Sequence, residues 1–338
     1  MPAQLPVLAP RLLPAAPSSF FLFDRFPVVV DTNVLLADCA HVLRSGKTSF
    51  LLASGKLPVA HLFATERVRG EVEKHLPRHA ERGGLDPQEA MDIWRERYLP
   101  AIRFVDLDGD PRDARVSALA ARHVNDKPTG LLAELLAPCL VFSRDRDLLD
   151  TGIAQREWVT LSSAGQDVAQ LQVIYTGGAF GTLLVGVTGW EIGSGITRAA
   201  KAAPLPTLLV SCAAAFLLWR FWWDTDRGAQ QRAGARSLIS DAVDGISAVW
   251  ARADEAEQLL EAAAFVPEGE LSLAARVARR VAIAPMPLKA AEVGERLQIS
   301  TQRAAALLRA PIFVRSDDGH YLLGRSYGPV VVESIGHP

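Results

Sequence analysis

The sequence predicts an α/β protein, with a parallel sheet sandwiched by helices over residues 20–165. Two transmembrane helices are expected over 171–223 and an α-rich module over 236–338. Three observations carry this reading. Short β-branched runs alternate with helical stretches through the first half, the pattern of a parallel sheet covered on both faces. Two later segments are almost free of charge for about 20 residues each, enough to span a hydrocarbon core of about 30 Å. Ala-rich helical text then runs into two short helices and a hairpin.

The start, MPAQLPVLAPRLLPAAPSSFFLF, is Pro-rich and lacks a long apolar core after a basic opening, so residues 1–19 read as a flexible leader and not as a secretory signal. The first strand is Val28-Val29-Val30, which stops at Asp31. Four further apolar runs have strand length: 57–63, 101–107, 138–143 and 157–162. Helical stretches lie between them at 33–44, 65–80, 87–98, 112–123 and 129–137. Asp86-Pro87 and Pro128 suit helix starts, because proline is pre-set for the first turn and its missing donor costs nothing there.

Residues 171–190 carry no charge and residues 204–223 carry one, Arg220. Tyr175 and Trp190 bracket the first segment, and Trp219, Phe221, Trp222 and Trp223 crowd the end of the second. Such rings prefer a membrane interface. Gly177, Gly181, Gly189 and Gly193 have small-xxx-small spacing, which lets two helices approach closely. Arg227, Arg232 and Arg236 follow the second segment, against Arg198 and Lys201 between the two. The charge asymmetry orients both large domains toward the cytoplasm at an inner or plasma membrane. The alternative is a buried helical pair in a soluble cytoplasmic protein.

In the last region, a helix over 288–297, a turn at Gln298-Ile299-Ser300 and a helix over 301–309 have helix-turn-helix proportions. Asp317-Asp318-Gly319 then sits between two short strands, a hairpin signal. Together these resemble a winged helix. Thr301, Gln302, Arg303 and Arg309 are expected on the exposed face of the second helix, with Arg315 on the hairpin, where they could meet DNA, RNA or another protein. Glu292, Glu295, Asp317 and Asp318 dilute the positive charge there.

Composition narrows the chemistry. Lys plus Arg is 36 against 38 for Asp plus Glu, a net charge of −2 over 338 residues, which excludes a strongly basic nucleic-acid coat. Cys39, Cys139 and Cys212 stand far apart, which argues against a disulfide scaffold or a Cys-type zinc site. His75 and His79 share a helix face but lack further zinc ligands at sensible spacing. Ser143 lacks the surroundings of a nucleophile elbow, and Gly46-Lys47-Thr48 lacks the upstream glycine of a phosphate loop.

The acids are more informative. Asp31 ends the first strand and Asp145 follows the strand at 138–143, and the carboxyl ends of parallel strands are where ligands collect. Asp31 taken alone is equally well read as a helix N-cap. Asp126 precedes the helix that Pro128 starts, and Glu71 lies on the helix after the second strand. Four acids in one crevice repel each other unless protons or cations neutralise them. Hard oxygen ligands suit Mg²⁺ or Mn²⁺, which can polarise a phosphodiester and activate water. Lys127, Arg144 and Arg146 lie close by in sequence and could meet RNA phosphates.

VVVDTNVLL, TERVRGEV and NDKPTGLLAELLAPCLVFSRDRDLL resemble, in order and spacing, the successive motifs of PIN-domain ribonucleases over residues 26–165. The resemblance implies a Mg²⁺- or Mn²⁺-dependent endoribonuclease with RNA as substrate. It implies Asp31, Glu71, Asp126 and Asp145 as the catalytic, metal-binding acids. Asp147 is auxiliary, and Thr32 and Asn33 orient Asp31. Glu66, about one helical turn away, is the alternative to Glu71 as the second acid. Homodimers and control by an antitoxin partner are also features of such proteins. The long additions after residue 165 depart from the toxin pattern and suggest a tethered processing or regulatory nuclease. The competing function is non-catalytic: a membrane-anchored nucleic-acid or protein binder built on the same scaffold.

Overall fold

The first strand, β1 (Phe26–Val30), is buried along its whole length, as five apolar residues in a sheet covered on both faces must be. The computed structural model of the chain describes residues 26–54, 60–165, 168, 251–252, 254–284 and 286–327. Asp31 caps α1 (Thr32–Ser45), whose end is set by Gly46 in the left-handed region. A short helix, α2 (Phe50–Ser54), leads to β2 (Ala60–Thr65) and α3 (Glu66–Arg82). Asp86 caps α4 (Pro87–Ile93), with Pro87 in its first turn as expected. A π-type turn (Trp94–Tyr98) and a last short turn (Leu99–Ala101) carry the chain into β3 (Ile102–Val105). Then follow α5 (Ala114–Arg122), α6 (Lys127–Leu136), β4 (Leu140–Phe142) and α7 (Arg146–Asp150). The four strands form one parallel sheet in the order β3-β2-β1-β4.

Side chains alternate across this sheet. Phe26, Val28 and Val30 face a core shared with α1, α3, Trp94 and Tyr98, while Val29 faces Phe63, Val105, Val141, α5 and α6. One strand expected from the sequence is different. Residues 158–165 are helical, because Trp158, Leu161 and Ala164 recur at helical spacing and bury together against the first core.

The C-terminal elements complete the second face of the sheet. They are α8 (Leu273–Ile283), α9 (Ala290–Leu297), α10 (Thr301–Leu307), β5 (Phe313–Arg315) and β6 (Tyr321–Leu323). Val277, Ala278, Val281 and Ala282 of α8 pack with Val29, Phe63, Leu132 and Leu136 in one core. Arg279, nearly buried, donates from Nη1 to the carbonyls of Leu136 at 3.1 Å and Pro138 at 2.5 Å, satisfying the open end of α6. Buried His61 on β2 lies 2.5 Å through Nδ1 from the carbonyl oxygen of Ala282. The α9–α10 corner needs Gly294, since a Cβ there would lie 2.9 Å from the Ile299 carbonyl oxygen. The helix-turn-helix and the hairpin at Asp317-Asp318-Gly319 are where the sequence predicts them.

Both edges of the parallel sheet are closed by this half of the chain. Phe104 of β3 exchanges two backbone hydrogen bonds with Arg325, and Cys139, just before β4, exchanges two with Phe265. Open strand edges are templates for unwanted pairing, and these two are covered.

The expected fold class requires one correction. No helix among the described residues is long and apolar enough to cross a membrane, against the two transmembrane helices expected. The longest helix named above, α3, has 17 residues and is rich in charge, where crossing takes about 20 apolar ones. The segments 171–190 and 204–223, like the leader 1–19, lie outside the described residues.

Candidate functional site

Strands β1 and β4 end in register, with Val30 opposite Phe142, so the next residues, Asp31 and Ser143, stand side by side. The strand order runs outward through β1, β2 and β3 and then reverses to β4. The gap above β1 and β4 is therefore the topological switch point, where open α/β sheets bind ligands. Ser143, fully buried, donates from Oγ to Asp31 Oδ2 at 2.7 Å and accepts from the Asp145 amide at 2.9 Å. Asp31 Oδ1 accepts from the Thr32 amide at 2.8 Å, and Asp145 Oδ1 from the Asp147 amide at 2.8 Å. Asp31 is only 7% exposed, and burial pushes its carboxyl up to about 6. The Ser143 and Thr32 hydrogen bonds oppose that rise, and the charges of Asp126 and Asp145 add to it.

Two helices bring the other groups. On α3, Glu71 Oε2 accepts from Thr32 Oγ1 at 2.8 Å, and Oε1 accepts from Arg67 Nε at 3.0 Å. Asp126 stands at the start of α6, yet its side chain makes no capping hydrogen bond. The capping explanation that accounts for one oxygen of Asp31 and one of Asp145 therefore does not extend to Asp126. Its carboxyl is raised by burial first and then by the charge of Asp145, with Glu71 and Asp147 adding and His123 opposing. His123 Nε2 lies 3.0 Å from Asp147 Oδ2. His123, Asp126 and Asp147 each offer a ligand atom, all within 4.8 Å of one another.

This donor set fits a hard divalent cation. The carboxylate oxygens suit Mg²⁺ and Mn²⁺, and the His123 imidazole is a donor that the later first-row metals take more readily than Mg²⁺. Asp31 and Asp126 are both biased toward their protonated forms by burial and by each other's neighbours, a bias that a cation would remove.

Of the acids singled out in the sequence, Asp126 and Asp147 join the close group with His123. Asp31, Asp145 and Glu71 border it, near enough for the charges of Asp126 and Asp145 to act on Asp31 and those of Asp145 and Glu71 on Asp126. Glu66 does not. It turns to the other flank of α3, where it accepts from Arg69 Nε at 2.8 Å and Tyr327 Oη at 2.5 Å. Thr32 acts on the site twice, through its amide to Asp31 and its hydroxyl to Glu71. Asn33 is exposed and makes none of the hydrogen bonds to Asp31; Ser143 has the orienting part expected of it. His123 and Ser143 were missed as site residues. The available signals were a histidine three residues before Asp126 and a serine two residues before Asp145.

Among the cations, Lys127 Nζ lies 3.8 Å from Asp108, Arg144 covers the Trp158 ring at 5.4 Å, and Arg146 is 90% exposed. Gln302, Arg303 and Arg309 are exposed on and just after α10. Among the described residues, His75 and His79 join no metal-competent group. No protein-family model matches the chain, and neither does any curated protein or solved structure.

Proposed function

We propose that this chain is a metal-dependent endoribonuclease that hydrolyses RNA phosphodiesters at the carboxylate cluster, as its resemblance to PIN-domain ribonucleases implies. The observation that supports this best is the carboxylate neighbourhood at the switch point between β1 and β4. There the charges of Asp126 and Asp145 act on Asp31, those of Asp145 and Glu71 act on Asp126, and Asp126 and Asp147 stand with His123 in one ligand-competent group. A bound Mg²⁺ or Mn²⁺ would supply Lewis acidity toward the phosphodiester and lower the pKa of attacking water.

The protein's own part is positioning and charge. Ser143 and the Thr32 amide hold the Asp31 carboxylate in one orientation, and the Thr32 hydroxyl holds Glu71. Such outer hydrogen bonds fix the direction of a ligating oxygen and its basicity. His123 holds Asp147 beside Asp126. Lys127, Arg144 and Arg146 are chain neighbours of Asp126 and Asp145 and would favour a polyanion over a neutral substrate. Gln302, Arg303 and Arg309 offer a second nucleic-acid surface on the helix-turn-helix.

The experiment is Mn²⁺-dependent cleavage of a labelled single-stranded RNA by the full chain, beside Asp31→Asn. The full chain is needed because α8 supplies part of the second core, so a fragment ending near 165 would expose Val29 and Phe63. Cleavage by the wild type, abolished by chelator and by the variant, is the expected result. Absence of both cleavage and Mn²⁺ binding would overturn the proposal.

A further inference from the structure

A cavity of about 280 Å³ lies at the carboxyl end of the edge strand β3 and is lined by none of the cluster's acids; the segments that enter and leave the C-terminal hairpin form one side of it. Its walls come from three distant parts of the chain: the start of α3, the end of β3, and the residues flanking the hairpin, 311–312 and 324–327. They are firmly held. Arg325 exchanges backbone hydrogen bonds of 2.7 and 2.8 Å with Phe104, and Ser326 Oγ donates to the Pro100 carbonyl at 3.2 Å. Gly324 has φ +74°, and a Cβ there would lie 2.8 Å from the Phe104 carbonyl oxygen, so only glycine lets the hairpin approach this closely. The pocket is therefore preformed, as small-ligand sites generally are.

Its chemistry is mixed in a specific way. Glu66 and Asp106 offer carboxylate acceptors, each Glu66 oxygen having a second lone pair beside the bond it takes from Arg69 or Tyr327. Arg325 and Arg69, the latter also bonded to Glu73, offer guanidinium donors. The formal charges cancel, which disfavours a free phosphate or other simple anion. Tyr327, 38% exposed, supplies an aromatic wall with Arg69 stacked 4.6 Å from its centroid, and Ile312 adds an apolar surface. An aromatic ring with a guanidinium beside it, a small apolar surface and both donors and acceptors in the lining match a heteroaromatic base, which proteins read by stacking on rings and guanidinium planes and by hydrogen bonds along the base edge. The volume falls at the small end of ligand pockets, enough for one nucleoside.

The cavity and the acid cluster share one helix, α3. Glu66 and Arg69 on one flank of α3 line the cavity, while Glu71 on the other flank reaches the cluster. Glu66 and Glu71 are five positions apart, about 7.5 Å along the helix axis. Arg67, exposed and paired with Glu71 at 3.0 Å, lies on the ridge between them. We infer that this cavity is a nucleobase subsite, taking one base with an exocyclic amino group from an RNA strand whose neighbouring phosphodiester lies at the acid cluster. The amino group follows from there being two carboxylates: the exocyclic amine of guanine, adenine or cytosine carries two N–H donors, whereas uracil has the single N3–H. The identity of the ligand as part of a substrate strand rests on the nuclease reading; the pocket's base preference does not.

The test is calorimetric titration of the full chain with GMP, AMP, CMP and UMP, in chelator and without divalent metal. Binding of the three amino-bearing nucleotides with UMP at least about tenfold weaker is expected, the equivalent of one lost hydrogen bond. Asp106→Asn and Glu66→Gln should each weaken binding of the amino-bearing nucleotides about tenfold, with unchanged circular dichroism. Asp106 is exposed, so its variant reads the pocket even where Glu66→Gln disturbs packing. No binding of any nucleotide up to about 10 mM, equal binding of UMP, or indifference to both variants would each overturn the inference. Metal-free binding that survives Asp31→Asn, in a chain that cleaves no RNA, would keep the subsite and remove the nuclease.

Discussion

Replacing Asp31 by asparagine removes one negative charge from the switch point and almost nothing else. The amide oxygen can still accept from Thr32, and the Ser143 hydroxyl can rotate to accept from the new amide nitrogen. The electrostatic change is large. Asp31 rises from an ordinary 3.8 to about 6, chiefly because it is buried. The folded state therefore binds more protons than the unfolded chain between about pH 4 and pH 6. Metal-free stability falls as pH climbs through that window, and the penalty is fully present above it. A shift of this size corresponds to about 3 kcal/mol. Asp31→Asn should abolish that pH dependence and make the metal-free protein more stable at pH 8, by up to about 3 kcal/mol. The same change should lower Mn²⁺ affinity and RNA cleavage at least about 100-fold, since even groups that only support a ligand are worth 10–100-fold. Urea unfolding at pH 4.5 and pH 8 in chelator, with Mn²⁺ titration and gel-based cleavage, reads all three. A variant that cleaves like wild type, or one less stable than wild type at pH 8, would refute the reasoning.

Three other outcomes follow from the geometry. Ser143→Ala removes the hydroxyl that donates to Asp31 and should move the Asp31 titration above about 6, with a loss of about 1.5–3 kcal/mol in stability; an unmoved pH profile would contradict the orienting role. Mn²⁺ must compete with the protons that burial favours on Asp31 and Asp126, so affinity should fall about tenfold per pH unit below about 6, and flat affinity from pH 5 to 7 would count against these ligands. Arg279→Ala leaves the Leu136 and Pro138 carbonyls without their cationic donor and should destabilise the fold by about 2–4 kcal/mol in urea unfolding; a change within 0.5 kcal/mol, the ordinary range for surface positions, would show that α8 docks without it.

Much of the first half was legible in the residues themselves. Asp86-Pro87 and Asp126-Lys127-Pro128 open helices because their backbone preferences are local, and VVV followed by Asp31 marks a buried strand ending at a cap. The acids at the ends of β1 and β4 could be placed on one edge because parallel strands separated by helices all point the same way. Residues 157–162 misled because EWVTLS has β-branched content and strand length; only the burial of Trp158 and Leu161 on one helical face selects the helix.

The sequence by itself thus determined the alternation of strands and helices, the acidic residues at the strand ends and the helix-turn-helix with its hairpin. Tertiary structure decided what those parts face. The sequence favours Glu71 over Glu66 as the second acid without excluding Glu66; the sheet order puts one flank of α3 toward β1 and the acids, and the other toward β3 and the cavity. Ser143 is an ordinary strand-end serine until the register sets it 2.7 Å from Asp31. The apolar stripe of α8 announces that it will be buried, but not that its partner is the second face of a sheet formed more than 100 residues earlier. Periodicity and capping act over a few residues and can be read from neighbours in the chain. Register and strand order are set by packing between distant segments, which only the folded structure specifies.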